Sequence, residues 1–245
     1  MKDYNFYSVI IGSELLNGRR KDSHFEFVNS ELIKRGWEQK ANFVIKDDPL
    51  FMEDVFKLIK SDPNSVMFCF GGIGSTPDDY TREVAGKVFS DGMSYNEEAK
   101  KIILEKMGDR AYPHRIKMAY LPNGSKLLQN PVNKMPGFYL EDRFFFTPGF
   151  PNMAHPMVKW ALDNFYPKAP KSYSCNFIAY TSEAELIDIM KALPDDIELS
   201  CLPQLQDGKR TAEIFLSSQD EEKIKKWCSY FKKELDKLDI KYKEI

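Results

Sequence analysis

Two different spacings of apolar positions alternate along the first part of the chain. Short apolar runs at Phe6 to Ile11, Asn42 to Ile45 and Val66 to Phe70 predict strands. After each run, apolar residues recur three or four positions apart, which predicts a helix. The third run contains no polar residue, which is typical of a strand buried on both faces. Strands that alternate with helices in this way predict a parallel sheet covered by helices on both sides.

The pattern continues, less regularly, to about residue 165. The further elements expected here are helices at 79–89 and 96–107, an irregular Pro-containing stretch at 112–136, a hairpin around 141–143 and a helix at 152–165.

A second, smaller pattern follows the stretch from Tyr166 to Ser172, whose two prolines and lysines predict a linker. Beyond it the order strand, helix, strand, strand, helix, strand predicts a small α+β domain of ferredoxin-like or KH-like type, with its helices on one face of an antiparallel sheet. We therefore expect a large α/β domain at residues 1–167 and a small domain at residues 172–245.

Net charge and the length of the apolar runs exclude some classes of protein. The chain has 245 residues, with 35 Lys plus Arg against 37 Asp plus Glu, and the net charge of −2 argues against a dedicated nucleic-acid binder or a polybasic membrane-surface protein. The longest apolar run, Val66 to Phe70, is far shorter than the roughly 20 residues of a membrane-spanning helix, and residues 1–4 have no signal-peptide pattern. We expect a cytoplasmic protein without membrane or nucleic-acid partners.

Cysteines and histidines are scattered along the sequence. The cysteines form no Cys-x-x-Cys pair, so we interpret all four as buried thiols. The spacing of the histidines predicts neither a catalytic triad nor a His-rich metal site, and any metal would more readily be held by oxygen ligands. The positions are Cys69, Cys175, Cys201 and Cys228, and His24, His114 and His155.

The glycine-rich segment after the third strand is the clearest candidate for chemistry. Gly71, Gly72 and Gly74 allow backbone amides to approach a ligand closely, and Thr76-Pro77 is typical of a helix N-cap followed by proline. Unpaired amides at the start of a helix attract an anion, phosphate above all.

Two acidic residues, Asp78 and Asp79, follow this loop. Acids in a first helical turn also occur in many unrelated helices, because they complement the helix dipole. Two carboxylates beside a bound phosphate would nevertheless repel it unless a divalent cation such as Mg²⁺ lay between them.

Two other clusters are expected to reach the same cleft. Gly12, Glu14 and Asp22 follow the first strand, and the carboxyl ends of parallel strands meet at one edge of the sheet. Asp22 or Ser23 can equally be explained as a cap of the next helix. The third cluster contains Asn130-Pro131, Pro136-Gly137-Phe138 and Thr147-Pro148-Gly149-Phe150-Pro151, and ordinary turn chemistry would account for its prolines and glycines.

The order of these motifs resembles that of the CinA family (competence/damage-inducible protein A). The motifs are Gly-x-Glu-Leu-Leu-x-Gly with a downstream Asp, Gly-Gly-x-Gly-x-Thr-x-Asp-Asp-x-Thr, Asn-Pro with Pro-Gly-Phe, and Pro-Gly-x-Pro, over roughly residues 6–160. The resemblance implies the three-layer α/β/α molybdopterin-binding fold of MoaB, Mog and MoeA proteins, a KH-like small domain and a homo-oligomer. The deamidase domain of many members has no room in 245 residues, so that activity is not expected.

The resemblance also implies a pocket for a phosphorylated pterin or nucleotide, with a divalent metal (Mg²⁺ or similar) and molybdopterin as candidate cofactors. It implies catalytic roles for Asp79, Asp22 and Glu14 and metal binding by Asp78 and Asp79. The residues expected to bind the ligand are Gly12, Gly71, Gly72, Gly74, Ser75, Thr76, Thr81, Asn130, Pro148 and Gly149.

Two functions remain open at this point. The leading hypothesis is a metal-dependent pyrophosphatase acting on ADP-ribose-type nucleotides, and the alternative is a non-catalytic molybdopterin- or nucleotide-binding protein. Met153 stands where the family usually has Glu, which slightly favours binding alone. RNA binding is disfavoured, because the small domain has only Gly208 and therefore no Gly-x-x-Gly loop.

Three other departures from the family pattern concern loops. Ser75 replaces the usual Pro and His24 the usual Asn, and both changes are mild. Asn133-Lys134-Met135 replaces the usual Gly-Thr-Ala and alters a loop next to the expected ligand.

Overall fold

The computed structural model describes residues 4–169, 171–206 and 208–245. The chain divides between Ala169 and Pro170 into two compact units. This division falls within the predicted linker, of which Pro170 lies outside the described residues.

Unit 1 is built around a six-stranded sheet. Its elements are β1 (Asn5–Ile11), α1 (Ser13–Leu16), α2 (His24–Lys34), β2 (Gln39–Ile45), α3 (Pro49–Ser61), β3 (Ser65–Phe70), α4 (Thr81–Phe89), β4 (Met93–Tyr95), α5 (Glu97–Met107), β5 (Tyr120–Pro122), β6 (Lys126–Leu128), β7 (Gly137–Leu140), β8 (Phe144–Thr147) and α6 (Pro151–Phe165). The strand order is β2-β1-β3-β8-β7-β6, in which β2, β1, β3 and β8 are parallel and β7 returns antiparallel. The expected α/β class with a mostly parallel sheet is confirmed.

The central strand β3 explains why the sheet needs cover on both faces. Val66, Phe68 and Phe70 pack in one apolar cluster with residues of α2 and α6. Met67 and Cys69, which alternate with them, pack in another with residues of α3, α4 and α5. Every residue of β3 is buried, so neither face is left to water. The result is three layers, helices on each side of the sheet.

Most predicted elements of unit 1 are present, with three differences, one of which is the unpredicted short strand β4. The short helix α1, directly after β1, was not predicted, because four residues are too few to show a helical period. The helix expected from Asp79 begins at Thr81 instead. The irregular stretch at 112–136 contains the short strands β5 and β6 and a 3₁₀ helix at Arg115–Ala119.

Unit 2 has a four-stranded antiparallel sheet. Its elements are β9 (Tyr173–Ala179), a 3₁₀ turn (Glu183–Leu186), α7 (Ile187–Lys191), β10 (Glu198–Gln206), β11 (Lys209–Ser218), α8 (Glu221–Lys237) and β12 (Tyr242–Glu244). The strand order is β10-β11-β9-β12. Such a split β-α-β pattern is the ferredoxin-like arrangement, and the KH-like alternative is not confirmed.

The interpretation of all four cysteines as free thiols is wrong for two of them. Cys175 on β9 and Cys228 on α8 form a disulfide across 53 residues of sequence, with their Cα atoms 6.5 Å apart. Sequence spacing could not reveal this pair, because packing of α8 on the sheet brings the two positions together. Cys69 and Cys201 are free thiols, and burial raises the pKa of each.

No helix in the described part of the chain is both long and apolar enough to cross a membrane.

Candidate functional site

The carboxyl ends of the parallel strands open onto one cleft of about 780 Å³. Its wall combines Gly12 after β1, Asp47 after β2, the loop of residues 70–76 after β3, and the segment of residues 148–151 after β8. This is the edge at which open α/β sheets bind ligands. All three motif clusters of the sequence contribute to this one cleft.

Most residues predicted for the site line the cleft. They are Gly12, Glu14, Asp22, Gly71, Gly72, Gly74, Ser75, Thr76, Asp78, Asp79, Pro148 and Gly149. Their roles in binding or catalysis remain predictions, since lining a cleft does not assign a function.

Two predicted ligand-binding residues, Thr81 and Asn130, do not line the cleft. Thr81 is fully buried, and its Oγ1 donates to the carbonyl oxygen of Gly71 at 2.9 Å. Asn130 is buried as well, and its Oδ1 accepts from the amides of Val132 and Asn133. Both side chains hold loop backbone in place, and their part in ligand binding stays a prediction.

The glycine loop adopts a conformation that only glycine takes without strain. Gly71 and Gly72 have φ values of +97° and +67°. A Cβ atom on Gly72 would lie 2.2 Å from Oγ1 of Thr81, so the loop is also too close to α4 for a side chain. Consecutive amides in such a turn form a concave surface that favours anions.

Four amides of this loop have no acceptor within the described part of the protein. They belong to residues 72–75, and neither backbone nor side-chain oxygens pair with them. Ser75 adds one of these donors, whereas the proline usual in the family would have no N–H there. The loop can therefore offer several N–H groups to one anion.

The predicted N-cap at Thr76 is wrong. α4 begins only at Thr81, and residues 76–79 form a separate turn in which the amide of Asp79 donates to the carbonyl oxygen of Thr76 at 3.1 Å. Oδ2 of Asp79 closes the turn by accepting from the amide of Thr76 at 2.7 Å and from its hydroxyl. A local side-chain bond of this kind competes with helix formation, which is why the helix starts later.

Three cleft carboxylates brace backbone turns in this way. Asp22 accepts from the amides of His24 at 2.9 Å and Phe25 at 3.0 Å, so the interpretation of Asp22 as a helix cap is supported, while Ser23 makes no capping bond. Asp47 accepts from the amide and hydroxyl of Ser13, both at 2.9 Å. Sequence reasoning missed Asp47, although its place just after β2 is a signal that could have found it.

The cleft has more acidic than basic side chains. Glu14, Asp22, Asp47, Asp78 and Asp79 face Arg20, Lys21 and Arg115, five acids against three bases. Hydrogen bonding with Thr76 lowers the pKa of Asp78 below its ordinary value. An incoming phosphate therefore meets amides and cations on some walls and carboxylates on others.

These carboxylates do not form a preassembled metal centre. Among the described residues, no three His, Cys, Asp or Glu side chains come together as a metal-binding group. A Mg²⁺ ion that arrives on the phosphates of a ligand needs only one or two protein carboxylates. Asp78 and Asp79 can supply these carboxylates. Oδ2 of Asp79 already accepts two hydrogen bonds from Thr76.

His24 connects the three walls, which the sequence did not reveal. It is 5% exposed at the start of α2, it stacks on Phe70 with a centroid distance of 4.2 Å, and its Nε2 donates to the carbonyl oxygen of Gly149 at 3.4 Å. The ring of His155 lies 5.2 Å away in an edge-on orientation. Nδ1 of His24 and Nε2 of His155 are buried without a hydrogen-bond partner in the described structure.

Burial sets the charge state of this histidine pair. Desolvation lowers the pKa of His24, opposed by the nearby Asp22 and by the bond to Gly149. It lowers the pKa of His155 to about 4, and the proximity of His24 adds to the effect. Both rings are therefore neutral at pH 7.

Four methionines form an apolar part of the cleft wall, namely Met107, Met118, Met135 and Met153. Sδ of Met153 accepts from Nδ2 of Asn133 at 3.4 Å, so the two departures from the family pattern contact each other. Thioethers are polarizable and adapt to flat rings, whereas the glutamate usual at position 153 would have added a sixth carboxylate.

Comparisons with known proteins identify the family of the first unit. Residues 8–168 match the family model described as a probable molybdopterin binding domain. A Clostridium kluyveri protein named for competence-damage induction is 31% identical over 178 residues, which cover 69% of this chain and 42% of that protein. A CinA-like protein of Nostoc punctiforme is 30% identical over 156 residues, covering 61% of this chain and 37% of its own length. The chain thus spans less than half of these two relatives.

A solved structure shares the fold of the first unit. The crystal structure of a CinA protein of unknown function from Thermoplasma acidophilum superimposes with a TM-score of 0.60 at 27% identity, covering 67% of this chain and 98% of that one. The resemblance to CinA proteins seen in the motifs is thereby confirmed, and this chain belongs to the molybdopterin-binding domain family, among its CinA-like members.

Proposed function

We propose that the cleft binds a phosphorylated pterin of the molybdopterin type, or a nucleotide of similar shape. The observation that carries this proposal is the row of unpartnered amides at residues 72–75, which line the cleft directly after the positive-φ turn at Gly71 and Gly72. Such amides are already held by the turn, so they lose little entropy when a ligand binds. Their N–H groups can donate hydrogen bonds to the oxygens of a phosphate group.

The rest of the cleft suits the organic part of such a ligand. Its volume of about 780 Å³ lies within the range of small-molecule sites, and its wall is partly apolar through the four methionines. Membership of a family described as molybdopterin-binding supports a pterin as the ring system.

Calorimetry together with amide NMR tests this proposal. We expect the protein to bind hydroxymethylpterin phosphate at least tenfold more tightly than unphosphorylated hydroxymethylpterin. We also expect the amide resonances of residues 72–75 to shift on binding, while the amide of Gly124, a glycine outside the cleft with a similar positive φ, does not. Equal affinity for the two compounds, or shifts confined to other loops, would contradict the proposal.

The acidic excess of the cleft favours a second candidate, divalent-metal-dependent hydrolysis of a nucleotide pyrophosphate such as ADP-ribose. Asp78 and Asp79 would hold a Mg²⁺ ion brought by the phosphates, and that ion would polarise the phosphoanhydride and lower the pKa of a bound water. The loop amides would hold the phosphoryl oxygens as charge develops on them.

Release of AMP from ADP-ribose with Mg²⁺ or Co²⁺ tests this second candidate. We expect Asp79→Asn to reduce turnover at least 100-fold, whereas Asp47→Asn, which weakens a comparable brace, retains most of it. No turnover with either metal, or full turnover in Asp79→Asn, would exclude this mechanism. Binding without turnover would leave the first proposal standing alone.

A further inference from the structure

Phe150 is a large apolar side chain left exposed on the wall of the cleft. Its exposed fraction is 52%, although other phenylalanines of unit 1 on β3, β7 and β8 are fully buried. Burying a phenyl ring is favourable, so an exposed ring on the wall of a cleft offers contact area to a ligand.

Hydrogen bonds hold the backbone at Phe150 on both sides. Phe150 is the residue before α6, with Pro151 in the first helical position, and its carbonyl oxygen accepts from the amides of Met153 and Ala154, both at 2.9 Å. On the other side, the carbonyl oxygen of Gly149 accepts from His24. The backbone at Phe150 is therefore fixed before any ligand binds, which limits the entropy lost on binding to that of the side chain.

Arg20 stands over the same ring. Its guanidinium carbon lies 6.0 Å from the ring centroid, and its Nη1 lies 3.8 Å from Oε1 of Glu14. A planar heterocycle in contact with both groups needs about 7 Å between them, at roughly 3.5 Å to each side. The Arg20 side chain is 58% exposed, so it can move the extra distance of about 1 Å.

We propose that Phe150 is the platform on which the ring of the ligand stacks, with the Arg20 guanidinium covering its other face. This inference rests on the proposed function, since it assumes that a phosphorylated ring compound enters the cleft. Arginine and phenylalanine both stack on flat heterocycles. Stacking uses the face of the heterocycle and not its hydrogen-bonding edge, so it does not distinguish one planar ring from another. The platform accordingly distinguishes ligands that carry a planar ring from phosphates that do not.

The test compares phosphorylated ligands that carry a planar heterocycle with one that does not. Dissociation constants are measured for hydroxymethylpterin phosphate, AMP and ribose 5-phosphate. We expect Phe150→Leu to raise the dissociation constants of the first two compounds about tenfold and that of ribose 5-phosphate less than twofold. Phe150→Trp keeps a stacking surface, so its affinities should stay within threefold of the wild type. Phe51, on α3 and outside the cleft, is also 52% exposed, and Phe51→Leu is the matched control that should change none of the three.

Each of the other outcomes excludes either the platform or the proposed function. If Phe150→Leu weakens all three ligands equally, Phe150 only shapes the loop and the platform is excluded. If it weakens none, the ring contacts another surface and the platform is again excluded. If the wild-type protein binds none of the three compounds, the proposed function itself fails, and the platform fails with it.

Discussion

Aspartates that cap helices occur both inside and outside the cleft, and they allow the structural and ligand-related effects of a carboxylate to be separated. Asp22 in the cleft accepts from the amides of His24 and Phe25. Asp48, the N-cap of α3, accepts in the same way from the amides of Leu50 and Phe51 and does not line the cleft.

We predict that Asp22→Ala and Asp48→Ala each reduce the free energy of unfolding by about 1 kcal/mol, because each leaves two helix amides without an acceptor. Only Asp22→Ala should also weaken hydroxymethylpterin phosphate, by at least threefold, since it frees the start of α2 that carries His24. Urea unfolding and calorimetry measure the two effects. An equal loss of affinity in both variants would show that the effect is not local to the cleft.

The histidine pair predicts a pH dependence of stability. His155 has a folded pKa of about 4 against an ordinary value of 6.5, so below pH 6.5 the unfolded chain binds more protons than the folded one. Stability is therefore fully present above pH 6.5 and falls as the pH drops towards 4. The negative charge of Asp22 raises the pKa of both histidines, which reduces the lowering caused by burial without removing it.

Urea unfolding between pH 7.5 and 4.5 measures this dependence. His155→Phe keeps an aromatic ring against Phe27, which lies 3.8 Å from the His155 ring, and it should flatten the pH profile. His114 is exposed, and His114→Phe should leave the profile unchanged. An unchanged slope in His155→Phe would show that other groups cause the dependence.

At the scale of elements, sequence reasoning located the glycine loop and nearly all the strands and helices of unit 1, because these depend on local periodicity and on glycine. It misplaced the start of α4, since the bond from Thr76 to Asp79 competes with the helix in a way that N-cap preferences do not show. It also missed α1, which is too short for a periodic signal.

Two glycines with positive φ, Gly18 after α1 and Gly72 after β3, are predicted to respond differently to substitution. Gly18 has φ +79° and open space around its Cα, so Gly18→Ala should cost only about 1 kcal/mol of backbone strain. Gly72→Ala should cost about 3 kcal/mol, because its Cβ would also collide with Thr81. Thermal and urea unfolding compare the two. Equal losses would mean that the loop yields readily and is not a rigid anion site.

At the scale of the whole molecule, the cleft and the disulfide belong to different units. The cleft lies in unit 1, whereas the bond between Cys175 and Cys228 joins a strand and a helix of unit 2. Disulfides are rare in the cytosol of most organisms, so the bond does not support the expected cytoplasmic location, which stays a prediction.

Reduction of the disulfide is predicted to destabilise unit 2. Closing a loop of 53 residues restricts the unfolded chain, and its loss should cost up to about 4 kcal/mol. Trp227 is the tryptophan of unit 2, so its fluorescence in a Trp37→Phe/Trp160→Phe background reports urea unfolding of this unit with and without reductant. Cys201→Ser, which removes a free thiol of the same unit, should not change the difference. An unshifted midpoint after full reduction would refute the prediction.

The sequence by itself determined the alternation of strands and helices, the glycine loop and the residues of each motif, because each depends on residues close together in the chain. Only the tertiary structure decided which distant groups meet. His24 and His155 lie 5.2 Å apart although they are far apart in sequence, Asp47 braces Ser13 across the neighbouring strand, and Cys175 reaches Cys228. These pairs follow from the order of strands in each sheet and the packing of helices on it, which no local pattern of residues specifies.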